Sequence, residues 1–179
     1  MDLPEDKPYI FQGFVTWMYT VQVGSLQIST EEAGFGRNLA IIELYIFADK
    51  YQSVQLMDFA MDSLQDSLND SCNTLTFREV ETVFKFTKSR HCLRHFTVAM
   101  MVCTVLDGDN YFSAQKMGKI FKEIDGAMME ILDYIPTLLY IHMGTHKDPR
   151  YRTDDPECEE EGFEFHQHKF DEECNSIPN

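Results

Sequence analysis

Residues 38–51 decide the fold, and they read Asn-Leu-Ala-Ile-Ile-Glu-Leu-Tyr-Ile-Phe-Ala-Asp-Lys-Tyr. Drawn as a helix, this stretch has almost no polar face, and a helix that is apolar all round is normally buried on all sides. Asn38 is a plausible N-cap, because its side-chain oxygen can accept a backbone N–H. We therefore predict a helix over about residues 38–51 at the centre of the fold.

Helical spacing of apolar residues continues on both sides of this stretch. Pro8 suits the first turn of a helix, Ser53 can cap another, and Thr76 with Glu79 forms a capping-box motif. Residues 21–37 are rich in Gly, Ser and Thr and are predicted to be a loop with room for a short extended piece. The fold class is mainly α. The predicted helices cover about residues 8–20, 38–51, 53–69, a segment beginning near Thr76, 91–107 and 113–143.

The last of these predicted helices carries a heptad pattern. Pro136 removes a backbone hydrogen bond, so we expect one long helix with a kink there. The pattern resembles a coiled-coil seam. We favour packing against the other helices, and a dimer seam is the alternative. Two rows repeat every seven positions: Met117, Ile124, Ile131 and Leu138, and Ile120, Ala127, Tyr134 and Ile141.

The charge of the chain is concentrated at one end. The 179 residues include 30 Asp and Glu against 15 Lys and Arg, for a net charge of −15. Residues 154–179 hold ten acids and one base, so this segment supplies −9 of the total. Binding a nucleic-acid backbone needs clustered cations, and this excess of acids excludes such a partner.

The sequence favours an intracellular protein, nuclear or cytoplasmic. Its first residues are acidic rather than basic and then apolar, so we expect no secretory signal. No uncharged apolar stretch approaches the roughly 20 residues that span a bilayer, so we expect no membrane association. The five cysteines are an odd number without repeated spacing, which favours reduced thiols.

No catalytic motif stands out, and we expect no enzymatic activity. His91 and His95 lie four residues apart, as two zinc ligands on one helix face can. A third and a fourth ligand are not evident, and arginines at 90 and 94 flank the pair. We interpret this region as a solvated, partly basic start of a helix.

The acidic tail contains one group of metal-binding residue types. Two thiols and two imidazoles within 17 residues match the ligand types of a tetrahedral zinc site, although the spacing is not that of a standard zinc finger. We favour a solvated, largely irregular tail, because nothing else in this segment would hold it folded. Zinc binding or a disulfide is the alternative. The candidate ligands are Cys158, His166, His168 and Cys174.

Several short motifs resemble one family. They are Leu3-Pro4-Glu5-Asp6 followed by Phe11, Phe14-Val15 and Trp17-Met18-Tyr19-Thr20, then the run from Ile42 to Gln52, then Met61-Asp62-Ser63-Leu64. Together they resemble the second, helical half of a BTB/POZ domain of the fungal type. The tail motif Phe165-His166-Gln167-His168, ending in Cys174, is similar to the C-terminal end of those fungal proteins.

The resemblance implies a division of the chain and an incomplete domain. Residues 1–70 would be a partial BTB/POZ-like helical region, 71–145 a helical extension and 146–179 the acidic tail. A full BTB domain has about half its length before the Leu-Pro-Glu-Asp segment, so the resemblance implies that its N-terminal half is missing. The helices over 8–20 and 38–51 would then expose apolar surface.

The resemblance also implies a function, namely protein–protein interaction without catalysis or cofactor. BTB proteins often act as adaptors, so the expected partner is a BTB-containing chain or a cullin-type ubiquitin ligase scaffold. Aromatic residues on the first two helices are the candidates for contact, because such residues dominate interfaces. Their alternative role is core packing. The candidates are Phe11, Phe14, Trp17, Tyr19, Tyr45 and Tyr51.

Overall fold

A computed structural model describes residues 7–20, 36–71, 73–89, 91–106, 114–141, 149, 150 and 165. These residues form seven α-helices and no strand, so the predicted mainly α fold is confirmed. In chain order the helices are α1 (Pro8–Thr20), α2 (Arg37–Lys50), α3 (Val54–Asp70), α4 (Phe77–Phe86), α5 (Cys92–Leu106), α6 (Ala114–Glu123) and α7 (Ala127–Ile141).

The predicted central helix, α2, is buried from Leu39 to Ala48, except for the partly buried Glu43 and Ile46. It packs against α1, α3 and α4. Ile42 and Leu44 are fully buried, as are Leu56 and Leu64 on the facing side of α3. Among the described residues, one hydrophobic core contains side chains of all the helices from α1 to α7.

The helix starts follow the capping predictions in part. The capping box at Thr76 is confirmed, since Thr76 Oγ1 accepts the Glu79 N–H at 3.4 Å and the Thr76 N–H donates to Glu79 Oε2 at 2.6 Å. Ser53 occupies the N-cap position of α3 but makes no side-chain cap hydrogen bond. The prediction for Asn38 is wrong, because Gly36 is the N-cap of α2. Asn38 Oδ1 instead accepts a hydrogen bond from Ser67 Oγ at 2.7 Å, which ties α2 to α3.

The segment predicted as one long kinked helix is two helices. The helix is interrupted between Glu123 and Ala127. Gly126 in this turn has a φ of +80°, a conformation that glycine adopts without steric cost. Pro136 lies inside α7 and does not end it. Ile120, Ile124 and Ile131 of the heptad rows are buried in the core, so for them the predicted packing against other helices is confirmed. The side chains of Leu138 and Ile141 lie outside the described part.

The start of α5 is buried, which contradicts the predicted solvated helix start. Arg94 is 8% exposed and contacts Glu130 through two nitrogens, with Nε at 2.9 Å and Nη2 at 2.8 Å from the carboxylate oxygens. Its Nη1 donates to the carbonyl of Thr87 at 2.9 Å, and its guanidinium lies 4.1 Å from the ring centre of Phe84. One side chain therefore joins α5, α7 and the end of α4.

Three residues of the C-terminal segment contact the helical body. Gln65 Nε2 donates to the carbonyl of Pro149 at 2.7 Å, and Arg150 Nη1 donates to the carbonyl of Asn73 at 3.4 Å. Phe165 is 7% exposed and belongs to the hydrophobic core. The expectation that this segment is largely solvated is therefore wrong for Pro149 and Phe165, which are buried, whereas Arg150 is partly exposed.

Candidate protein-binding surface

A polar network at the start of α1 holds this helix against α2. Lys7 Nζ lies 2.5 Å from Glu43 Oε1, and the Tyr9 hydroxyl donates to Glu43 Oε2. Burial and the hydrogen bond to Glu43 raise the pKa of Tyr9. Burial would lower the pKa of Lys7, but the hydrogen bond and charge of Glu43 outweigh it and the pKa is raised. Lys7 and Tyr9 therefore stay protonated at neutral pH and can both donate to Glu43.

Aromatic rings continue this contact along α1 and onto the end of α2. The Phe14 ring centre lies 6.3 Å from that of Phe11, 6.4 Å from that of Trp17 and 5.5 Å from that of Phe47. Phe47 in turn lies 4.6 Å from Tyr51. Ring pairs at such separations attract one another beyond the effect of their buried area. The rings therefore form a connected, ordered layer rather than isolated side chains.

Two rings of this layer and two further side chains of α1 are exposed. Tyr19 is 84% exposed, Met18 50%, Tyr51 46% and Phe11 43%. Phe14 and Trp17 are half-buried and pack against the core. No residue from Pro8 to Thr20 carries a charge. We call this surface the α1 face, and its members are Phe11, Phe14, Trp17, Met18, Tyr19 and Tyr51.

One predicted contact residue does not belong to this surface. Tyr45 is 1% exposed and its ring lies edge-on to His91 at 5.6 Å, so it is a core residue. The reason is its position on α2, where every turn faces another helix. The apolar exposure expected of the first two helices is accordingly found on α1, whereas on α2 Leu39 to Leu44 are buried except for the half-buried Glu43.

Sequence reasoning missed part of the exposed apolar surface. Met18 lies seven residues after Phe11 and so shares its side of the helix, a spacing that could have identified it. A second group of exposed apolar side chains lies on α6 and α7, at positions outside the two heptad rows. Its members are Phe121, Met128, Met129 and Leu132, which are 36 to 63% exposed.

The predicted zinc ligands Cys158, His166, His168 and Cys174 lie outside the described residues. Within the described ranges, no three His, Cys, Asp or Glu residues are placed to hold a metal ion together. Burial, followed by the charge of Asp58, raises the pKa of the Cys92 thiol, which disfavours the reactive thiolate. Cys92 is therefore not an activated thiol.

A polar cavity of about 530 Å³ lies between the start of α2 and the end of α3. Ser67 and Asn38 on its wall are bonded to each other, as are Thr76 and Glu79. The first pair links α2 to α3 and the second caps α4, so these four polar residues stabilise the fold.

No family model, curated protein or solved structure matches the chain. The resemblance to BTB/POZ proteins accordingly stays a prediction. Among the helices that the structure describes, none combines the length and the hydropathy that crossing a bilayer requires.

Proposed function

We propose that the chain is a non-catalytic protein–protein interaction module, resembling a BTB/POZ adaptor, that binds a protein partner through the α1 face. The observation that carries the proposal is an uncharged helix on which Phe11, Met18 and Tyr19 are exposed. Ring contacts through Phe14 and Phe47 connect this helix to the exposed Tyr51. Contiguous exposed apolar surface on a folded protein is typical of interaction sites. The proposal includes an intracellular location, nuclear or cytoplasmic, which the five unpatterned cysteines favour.

The anchoring of α1 suits this role. The Lys7–Glu43–Tyr9 network fixes one end of the helix, and the contact between Phe14 and Phe47 fixes its middle. A surface that is already ordered loses little conformational entropy when a partner binds. Rings that are half-buried at their base and exposed at their edge are also the usual anchors of an interface.

The partner we propose is a BTB-containing chain or a cullin-type ubiquitin ligase scaffold. Biolayer interferometry of the purified full-length chain against each of these, and against a second copy of itself, tests the proposal. We expect binding to at least one of the three. Replacing Tyr19 by alanine should weaken that binding about tenfold or more, because an aromatic hot-spot residue that a partner covers contributes about 2 kcal/mol or more to an interface.

Met129→Ala is the matched control, because Met129 is 63% exposed on α7 and outside the α1 face. It should leave the dissociation constant unchanged. The proposal is refuted if the wild type binds none of the three, or if Tyr19→Ala and Met129→Ala bind equally well. Circular dichroism of both variants shows that a loss of binding is not a loss of fold.

A second candidate is a small zinc-binding regulatory protein whose tail binds zinc through Cys158, His166, His168 and Cys174. Phe165, the residue before His166, is anchored in the core, and this supports the idea because a fixed neighbour reduces the cost of ordering the ligands. We expect one tightly bound zinc per chain in the wild type. The variant Cys158→Ser/Cys174→Ser should lose it. A wild-type protein without bound metal after purification and zinc titration would end this candidate.

A further inference from the structure

Phe165 occupies an aromatic site on the helical body. Its ring lies edge-on to Phe96 of α5 with centres 5.2 Å apart, and tilted against His95 with centres 5.6 Å apart. His95 also contacts Tyr134 of α7, edge-on, at 5.0 Å. We call the site formed by His95 and Phe96, together with Tyr134 that contacts His95, the Phe165 socket. Phe165 is 7% exposed, so the site accepts a whole phenyl ring.

The chain segment that carries His95 and Phe96 and the segment that carries Phe165 differ in charge. Residues 82–106, which include α5, contain four Lys or Arg and no Asp or Glu, in a chain with 30 acids. Lys85 and Lys88 within this segment are exposed. The segment 154–179, which includes Phe165, holds ten acids and one base. Arg94 is paired with Glu130, and Asp133 next to Tyr134 is exposed, so the acidic character of the ligand is taken from the tail segment that supplies Phe165.

The occupant is tethered. Fourteen residues, 151–164, separate Phe165 from Arg150, which bonds to the carbonyl of Asn73 on the body. A ligand group on a short tether acts at an effective concentration of roughly millimolar. A separate peptide of the same kind must therefore compete with Phe165 for the socket.

We propose that the Phe165 socket is a docking site for an acidic, phenylalanine-bearing peptide segment, which the chain's own tail occupies and a partner segment of the same chemistry displaces. The socket lies on α5 and α7, whereas the α1 face lies on α1 and the end of α2. The proposal is therefore independent of the function proposed for the α1 face.

Fluorescence anisotropy with a labelled peptide of residues 158–170, in the presence of a metal chelator, tests the proposal. The full-length Phe165→Ala variant has an emptied socket and should bind the peptide. The wild-type chain should bind it at least about tenfold more weakly, because the tethered ring competes.

Two controls separate docking from general stickiness and from unfolding. Phe163→Ala removes the neighbouring tail phenylalanine. This variant should bind the peptide as weakly as the wild type does. Phe165→Leu keeps most of the buried volume and should bind the peptide with intermediate affinity. The proposal is overturned if neither Phe165 variant binds the peptide, if wild type and Phe165→Ala bind it equally, or if a peptide lacking Phe165 binds as well.

Discussion

Replacing Arg94 by methionine should lower the free energy of unfolding by about 3 kcal/mol. Methionine keeps the apolar stem but removes the guanidinium, which contacts both carboxylate oxygens of Glu130 within 2.9 Å and the carbonyl of Thr87 at 2.9 Å. Removing one partner of a buried ion pair costs about 3–5 kcal/mol. The Glu130 side chain is 20% exposed, so water compensates in part and the lower end applies.

Urea unfolding followed by far-ultraviolet circular dichroism measures this cost. In a thermal scan the same loss lowers Tm by about 6–12 °C for a chain of this size. Glu123→Gln is the matched control, because its ion pair with Lys119 is exposed and 3.8 Å long. It should cost less than about 0.5 kcal/mol.

A double-mutant cycle identifies the ion pair as the cause. Glu130→Leu should be costly in the wild type but nearly neutral, or stabilising, in the Arg94→Met background, because an apolar pair no longer leaves a charge unpaired. The reasoning is refuted if Arg94→Met costs less than about 1 kcal/mol. It is also refuted if Glu130→Leu costs the same in both backgrounds.

Three further predictions concern other described residues. Burial and the hydrogen bond to Glu43 raise the pKa of Tyr9 above 10.0, so its contribution to stability is complete below that pH and is lost as the pH rises through the folded-state pKa. Urea titrations at about pH 9 and pH 11 should therefore show a larger loss in the wild type than in Tyr9→Phe, and equal losses would contradict this. Gly126→Ala should cost about 1–2 kcal/mol in a thermal melt, because φ is +80° there; an unchanged Tm would argue against that backbone conformation. Burial, and after it the charge of Asp58, raises the pKa of the Cys92 thiol, so Asp58→Asn should speed alkylation of Cys92 as measured by mass spectrometry. An unchanged rate would show that the charge of Asp58 does not raise this pKa.

The secondary structure was predictable because its signals are local. The apolar run of α2 and the pair Thr76 and Glu79 act within one or two helical turns. The helix and the capping box that they predict are both present in the structure. The break at Gly126 was hidden by the same kind of signal. Ile120, Ile124 and Ile131 keep a heptad-like spacing through the break because α6 and α7 both pack on one core. Periodicity reports which residues face the core, and it does not report that the chain turns between them.

The contacts that define the surfaces were not predictable because their partners lie far apart in sequence. Arg94 meets Glu130 36 residues away, and Phe165 meets Phe96 69 residues away. The aromatic candidates show the same limit. Tyr45 and Tyr19 both lie in apolar helices, but α2 is enclosed by α1, α3 and α4, whereas α1 presents one side to solvent. Composition cannot distinguish a helix covered on all sides from one covered on one side.

Hydrogen–deuterium exchange of the full-length chain, alone and with the partner that it binds in the interferometry assay, tests the α1 face most directly. Binding through this surface predicts slower exchange of the amides of α1 and of the end of α2 near Tyr51, with α7 around Met129 unchanged. Protection confined to α6 and α7, where Phe121 and Leu132 are also exposed, with no change in α1, would contradict the account.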